Sequence, residues 1–221
     1  SSDVCSSDLN FRDAGDRIIG EITPGYSMLG PDRIAYIRGL VPDLKVLLLL
    51  RDPVERAWSQ AVMNLVEIAG RPAEDIEVSM FLDHLAEPRV RGRGDYLGML
   101  DRWEGAFGRT NVHVGFFEDV AERPVELLSG ILRFLGAPEG DEAFYAPVGR
   151  RVRPGVGTPM PDAVRAVLIE RYAEDLRRLH QRLGQPAGQL AILIVLLVAR
   201  QVPLLEVGVE LGGAPPAAAF K

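Results

Sequence analysis

The chain has 221 residues, of which 25% are charged and 47% hydrophobic. That is the composition of one globular domain with a real core. Its formal net charge of -6 excludes non-specific nucleic-acid binding as the main task and leaves room for a local basic pocket only. A single cysteine, Cys5, excludes an intrachain disulfide. With no basic, apolar leader pattern at the start, it fits a reducing cytoplasm. Only Lys45 and Lys221 among the 25 basic residues are lysines, a bias expected of a GC-rich, bacterial coding sequence.

Ser1 to Leu9 has neither helical nor strand periodicity, and Cys5 to Leu9 back-translates to the end of a common sequencing adaptor. Residues 1–10 are therefore expected to be non-native, the plainer alternative being a disordered polar terminus. Arg17 to Glu21 reads as a short strand ending in a carboxylate, and Thr23 to Tyr26 as a loop. Pro31 opens a helix with Ile34, Ile37 and Leu40 on one side, stopped by Pro42-Asp43. Leu44 to Leu50 is apolar except for Lys45, as in a parallel strand covered on both faces. Asp52 then stands as a helix N-cap, with Pro53 at the first helical position and Glu55 at the capping-box position. Val54, Ala57, Trp58, Ala61, Val62, Leu65 and Ile68 continue as one apolar stripe, ended by Gly70-Arg71-Pro72.

Residues 71 to 95 read as loop-rich, with a basic cluster of Arg89, Arg91 and Arg93. Such a cluster either greets an anionic acceptor or is solvated, and charge runs favour solvation. Tyr96, Met99, Leu100, Trp103 and Phe107 mark an amphipathic helix. Asn111 to Phe117 is a second buried strand, followed by Glu118-Asp119. Pro124 to Leu135 is a helix stopped by Gly136. Arg150 to Gly155 is a basic loop, and Asp162 to Leu183 a long helix. Leu190 to Val198 is apolar but shorter than the roughly 20 residues of a membrane span. The segment 189–221 stays unassigned, as a core helix or strand or the product of a frameshift. The three histidines show no metal-ligand spacing and read as structural or solvated, and Trp58 and Trp103 as core.

Alternating strands and helices predict an α/β sandwich with a parallel sheet, occupying residues 11–188. Ligands of such sheets bind beyond the carboxyl ends of the strands, where Glu21, Arg51 and Glu118-Asp119 fall. Arg51 follows the buried strand directly, and Ser59 lies eight residues further on. Arg56 shares a helix face with Ser59. A helix start offers free N–H groups and partial positive charge. A guanidinium and a hydroxyl added there make a phosphate site. On spacing alone, the alternative is an Arg51 ion pair with Asp52 or Glu55 and a solvated Ser59.

Leu49 to Ser59 (LLRDPVERAWS) resembles the segment by which sulfotransferases bind the 3′-phosphate of 3′-phosphoadenosine 5′-phosphosulfate (PAPS). The resemblance implies that Arg51 and Ser59 hold that phosphate. Glu21 to Tyr26 is similar to the Glu-x-Ser/Thr-x-x-Tyr segment of the heparan-sulfate N-sulfotransferase-like branch and its bacterial relatives, which implies that Glu21 is the catalytic base. Gly94 to Trp103 resembles the Gly-x-Tyr-x-x-x-Leu-x-x-Trp helix start of that branch. Gly149-Arg150-Arg151 resembles the late Lys-Gly-Arg loop over the 3′-phosphate, with Val148 in place of its lysine. Gly149 and Arg150 are thereby implied as cofactor-binding.

The implied fold is a P-loop NTPase-like three-layer sandwich. Its first strand and the lysine-bearing phosphosulfate loop have no counterpart upstream of Glu21, so an incomplete domain is expected. The implied reaction is transfer of a sulfuryl group from PAPS to a hydroxyl or amine of a carbohydrate or small molecule, without a metal, nucleic acid or membrane partner. The residues leave two rivals open: a phosphotransferase of similar fold, and a non-catalytic remnant that binds adenosine 3′,5′-bisphosphate. A free glutamate ionises near pH of about 4.3, so base catalysis by Glu21 calls for a pocket that raises it.

Overall fold

The computed structural model describes residues 18–148, 157–184 and 191–200. The apolar run Lys45–Arg51 forms strand β2, and the alternation of its side chains divides the molecule into layers. Val46, Leu48 and Leu50 face a core built with Ile34 of helix α1 (Pro31–Leu40), Met99, Leu100, Trp103 and Phe107 of a helix over Tyr96–Phe107, and Leu179 of the long helix Asp162–Leu183. On the other face, a Cβ on Gly115 would lie 2.7 Å from Leu49 and 3.0 Å from Leu127. There the helix Pro124–Leu135 approaches the sheet, and Phe134 stacks on His113 at 5.0 Å and accepts from Lys45 through its carbonyl. Burial holds the His113 imidazole below the usual histidine range.

In chain order, β1 (Ile18–Ile22) leads through a 3₁₀ turn (Pro24–Met28) to α1, then to β2 and α2 (Pro53–Val62). A π-helical segment, Met63–Ile68, prolongs α2. Next come α3 (Val78–Ala86), α4 (Pro88–Gly92), α5 (Tyr96–Phe107), β3 (Val112–Phe116), α6 (Glu118–Glu122), α7 (Pro124–Leu135), α8 (Glu142–Tyr145), α9 (Asp162–Leu183) and β4 (Ala191–Arg200). The sheet order is β1-β4-β2-β3. β2 and β3 are parallel, while β4 runs antiparallel to both β1 and β2. Strands β1, β2 and β3 therefore share one direction, and their carboxyl ends form one edge.

Several expectations need correction. The sheet is mixed rather than wholly parallel, because 191–200 takes the strand alternative and enters between β1 and β2. Leu179 of α9 lies beside Pro53 and Tyr96, where β2 finishes, and β4 begins opposite Arg51. Residues 71–95 are not one loop: α3 buries Phe81, His84 and Leu85, an i, i+3, i+4 pattern packed on Trp58. The stripe of α2 holds through Val62, but Ile68 is 73% exposed. The π segment winds more slowly than an α-helix and turns Ile68 off the buried face.

Trp103 is wholly buried and stacks on Phe107 at 5.8 Å. Replacing it with alanine is expected to cost about 3–5 kcal/mol, read as a lower denaturant midpoint with the slope unchanged.

Candidate functional site: an arginine-lined cleft at the carboxyl edge

The junction of β2 and α2 is built by three local devices. Asp52 accepts from the backbone N–H groups of Val54 (2.7 Å) and Glu55 (3.1 Å), capping α2 as its position predicts. Pro53 occupies the first helical position with its φ preset. The Tyr96 hydroxyl donates to the Arg51 carbonyl at 2.9 Å and ties the strand end to α5. Burial holds the Tyr96 phenol above its ordinary range, so this donor keeps its proton. Glu55 does not close a capping box; it accepts from Arg165 of α9 at 3.1 Å.

Beyond the junction lies a cleft of about 190 Å³ lined by Arg51, Arg56, Ser59, Gln60, Arg93 and Ser27, with Pro24 and Met63 at its margins. The sequence-predicted pair Arg51 and Ser59 thus meet in one cavity. Arg51 stands over the Phe117 ring at 5.8 Å. Among the described residues no carboxylate pairs with Arg51, Arg56 or Arg93, which removes the ion-pair alternative for Arg51.

Arg56 and Arg93 enlarge the site beyond the sequence reading. Arg56 is buried, with 8% exposure. Its Nη2 donates to the Val90 carbonyl at 3.4 Å, while its Nε is buried with no partner among the described residues. Burial pulls the Arg93 guanidinium below its usual range, and the charges of Arg89 and Arg56 pull it the same way. Arg93 thus separates from its cluster: Arg89 and Arg91 remain exposed. Its signal lay in Gly94, where a Cβ would meet the Tyr172 ring at 2.7 Å, so the chain turns tightly as it reaches the Tyr96 helix.

Guanidinium groups gathered in one cleft, with no ion pair among the described residues, fit an oxyanion, because each offers forked donors and bound negative charge would relieve their repulsion. The cavity is smaller than the roughly 300–1,000 Å³ that encloses a drug-sized ligand. It accommodates a phosphate or sulfate group with part of its carrier.

Glu21 sits at the end of β1 and is exposed, not pocketed. Thr23 Oγ1 donates to its carboxylate at 3.1 Å. Burial first, then the neighbouring Glu21 carboxylate, push the Tyr26 phenol up to about 12. The turn after Glu21 reaches the cleft through Pro24 and Ser27, and Arg102 of α5 anchors it by donating to the Ser27 carbonyl at 3.1 Å. Gly149 and Arg150 lie outside the described residues. Glu118, the other carboxyl at a strand end, has a buried and unpartnered Oε2. Burial raises its pKa, the Asp52 charge adds to the rise, and Arg51 opposes it. Among the described residues no group of three or more His, Cys, Asp or Glu is placed to hold a metal, and no helix is long and apolar enough to cross a membrane.

A mixed α/β fold with an arginine-lined cleft beyond the carboxyl ends of its parallel strands has its cavity where ligands of such sheets bind. The model of the sulfotransferase family matches residues 12–141, more than half of the chain, and the protein belongs to that family. A search of solved structures finds similarity to a sulfotransferase from Alicyclobacillus acidocaldarius, with 25% identity and a TM-score of 0.54 over 73% of this chain. The chain spans 63% of that protein's length. This likeness establishes the P-loop-like α/β fold. No curated protein matches the sequence.

Because the folded-state pKa of Glu118 is raised, its ionisation opposes folding. The protonated form's contribution is complete at low pH and is lost as pH rises through the folded value. Glu118→Gln should therefore match the wild type in acid and exceed it in stability at neutral pH, as measured by thermal unfolding across a pH series.

Proposed function

We propose that the protein is a PAPS-dependent sulfotransferase of the heparan-sulfate N-sulfotransferase-like and bacterial branch, acting on a hydroxyl or amine of a carbohydrate or small molecule. The observation that carries this reading is the meeting of Arg51 and Ser59 in a cleft whose arginines have no carboxylate partners among the described residues. Arg51 supplies a charged fork and Ser59 a hydroxyl to the 3′-phosphate of the donor. Gly149 and Arg150 belong to the same phosphate site on the resemblance of their loop. The acceptor oxygen or nitrogen attacks sulfur, the bond from sulfur to the 5′-phosphate oxygen breaks, and Glu21 takes the acceptor proton. The products are the sulfated acceptor and adenosine 3′,5′-bisphosphate. Thr23 and Tyr26 orient the Glu21 carboxylate. The single cysteine suits a cytoplasmic setting.

A second reading, nucleotide binding without turnover, is favoured by the exposure of Glu21, since an exposed carboxylate lacks the environment that tunes a base. Calorimetric titration with adenosine 3′,5′-bisphosphate tests the phosphate site. Arg51→Ala should weaken binding by about tenfold or more and Ser59→Ala by a few-fold, as expected for charged and neutral hydrogen bonds. Affinity unchanged in both variants would remove the phosphate assignment. Turnover with PAPS and a panel of acceptors, abolished by Glu21→Gln, separates the enzyme from the binder.

A further inference from the structure

One feature of the cleft exceeds what a single 3′-phosphate needs. Arg93 donates through Nη1 to Gln60 Oε1 at 2.6 Å. Gln60 Nε2 donates to Asn64 Oδ1 at 3.1 Å. Asn64 Nδ2 faces His84 Nε2 at 3.2 Å, and His84 Nδ1 faces Glu87 Oε1 at 2.9 Å. This continuous chain starts at the cleft and ends on an exposed carboxylate.

Its polarity is dictated from both ends. Arginine can only donate, so the Gln60 atom facing it is the oxygen. The Gln60 amide nitrogen then faces Asn64, which must present its own oxygen. The Asn64 amide nitrogen is left to donate to His84 Nε2, so the histidine hydrogen sits on Nδ1 and goes to Glu87, which can only accept. Every donor meets an acceptor in this one arrangement, which fixes the side chains more firmly than isolated bonds would. Asn64 lies in the π segment after α2, and such segments recur at functional sites. The result is an arginine steered into the cleft with only one of its five donor hydrogens taken by Gln60. Beside it, the buried Arg56 has an Nε without a partner among the described residues.

We infer that Arg93 and Arg56 form a second oxyanion subsite in the cleft, separate from the Arg51–Ser59 phosphate site, and that Gln60, Asn64, His84 and Glu87 are its positioning residues. It rests on the proposed role of Arg51 and Ser59 only for deciding which anion goes where. The ligand is a phosphate, sulfate or carboxylate group. Two sources can supply it: the other phosphate of the nucleotide, or an anionic group on the acceptor. Burial first, then the charges of Arg89 and Arg56, depress Arg93, and its place beside Arg56 fits a site completed by negative charge.

The test uses calorimetric titration of the full chain with three probes: adenosine 3′-monophosphate, adenosine 3′,5′-bisphosphate, and inorganic sulfate added to protein saturated with the bisphosphate. Arg93→Gln should lose about tenfold in affinity for one of the last two probes and keep its affinity for the monophosphate. A loss on the bisphosphate identifies the nucleotide's second phosphate as the ligand; a loss on sulfate alone identifies an acceptor group. Arg93→Lys should recover part of the loss, because it keeps the charge and gives up the fork. Asn64→Leu should weaken the same probe, and combining it with Arg93→Gln should cost nothing more, the non-additivity that marks action through Arg93. Should Arg93→Gln fail to fold, Arg93→Lys and Asn64→Leu carry the same comparison. Bisphosphate and sulfate affinities all within about twofold of wild type would overturn the subsite. An Arg51→Ala variant with undiminished binding beside a weakened Arg93→Gln would remove the phosphate role of Arg51 and leave the subsite standing.

Discussion

The site hangs on the point where β2 ceases to be a strand. Asp52 satisfies two of the backbone N–H groups freed at the start of α2, and Tyr96 takes the carbonyl of Arg51. Both backbone polarities at the junction are thereby answered while Val46, Leu48 and Leu50 remain buried just before it. An end so constrained fixes where Arg51 leaves the sheet, and one and two helical turns later where Arg56 and Ser59 project. An Asp52 that failed to cap would leave α2 free to fray toward the cleft. The geometry of the arginines is therefore a consequence of backbone accounting at a single turn.

Charge gives the cleft its character. Several arginines outside the cleft are paired with carboxylates: Arg165 with Glu55, Arg182 with Asp101 and Glu104, Arg123 with Asp119. In the cleft, Arg51, Arg56 and Arg93 are held together by aromatic and amide neighbours that leave their charge intact. Partial burial makes that crowding costly, because the field of each guanidinium is less screened than at the surface. Such an arrangement stores affinity for anions, and it does so in a chain whose overall charge is negative. A net-charge argument speaks against non-specific nucleic-acid binding and is silent about an anionic ligand in a local pocket.

Much of this was legible in the residues. The unbroken apolar run of β2, the Asp-Pro start of α2 and the Gly184 end of α9 are local signals, and the structure follows them closely. Arg51 and Ser59 were legible for the same reason, since strand end plus helical spacing brings them together without distant contacts. Arg56 was legible too, on the helix face of Ser59, but Arg93 and its hydrogen-bonded neighbours were not. Arg93 belongs to a charged cluster indistinguishable by composition from a solvated one, and only packing of Gly94 against Tyr172 turns it inward. Gln60, Asn64 and His84 carry no pattern at all, because their order arises from hydrogen bonds between α2, its π extension and α3. The direction of β4 was hidden as well, because an apolar run gives no polarity. The exposure of Glu21 likewise depends on packing that a strand-end motif does not encode.

The central claim is that the β2–α2 junction presents a phosphate-binding pair. A crystal structure of the protein with adenosine 3′,5′-bisphosphate bound tests it most directly. The predicted result is the 3′-phosphate within hydrogen-bonding distance of the Arg51 guanidinium and the Ser59 hydroxyl. A saturated nucleotide whose 3′-phosphate lies elsewhere, with Arg51 and Ser59 unengaged, would contradict it.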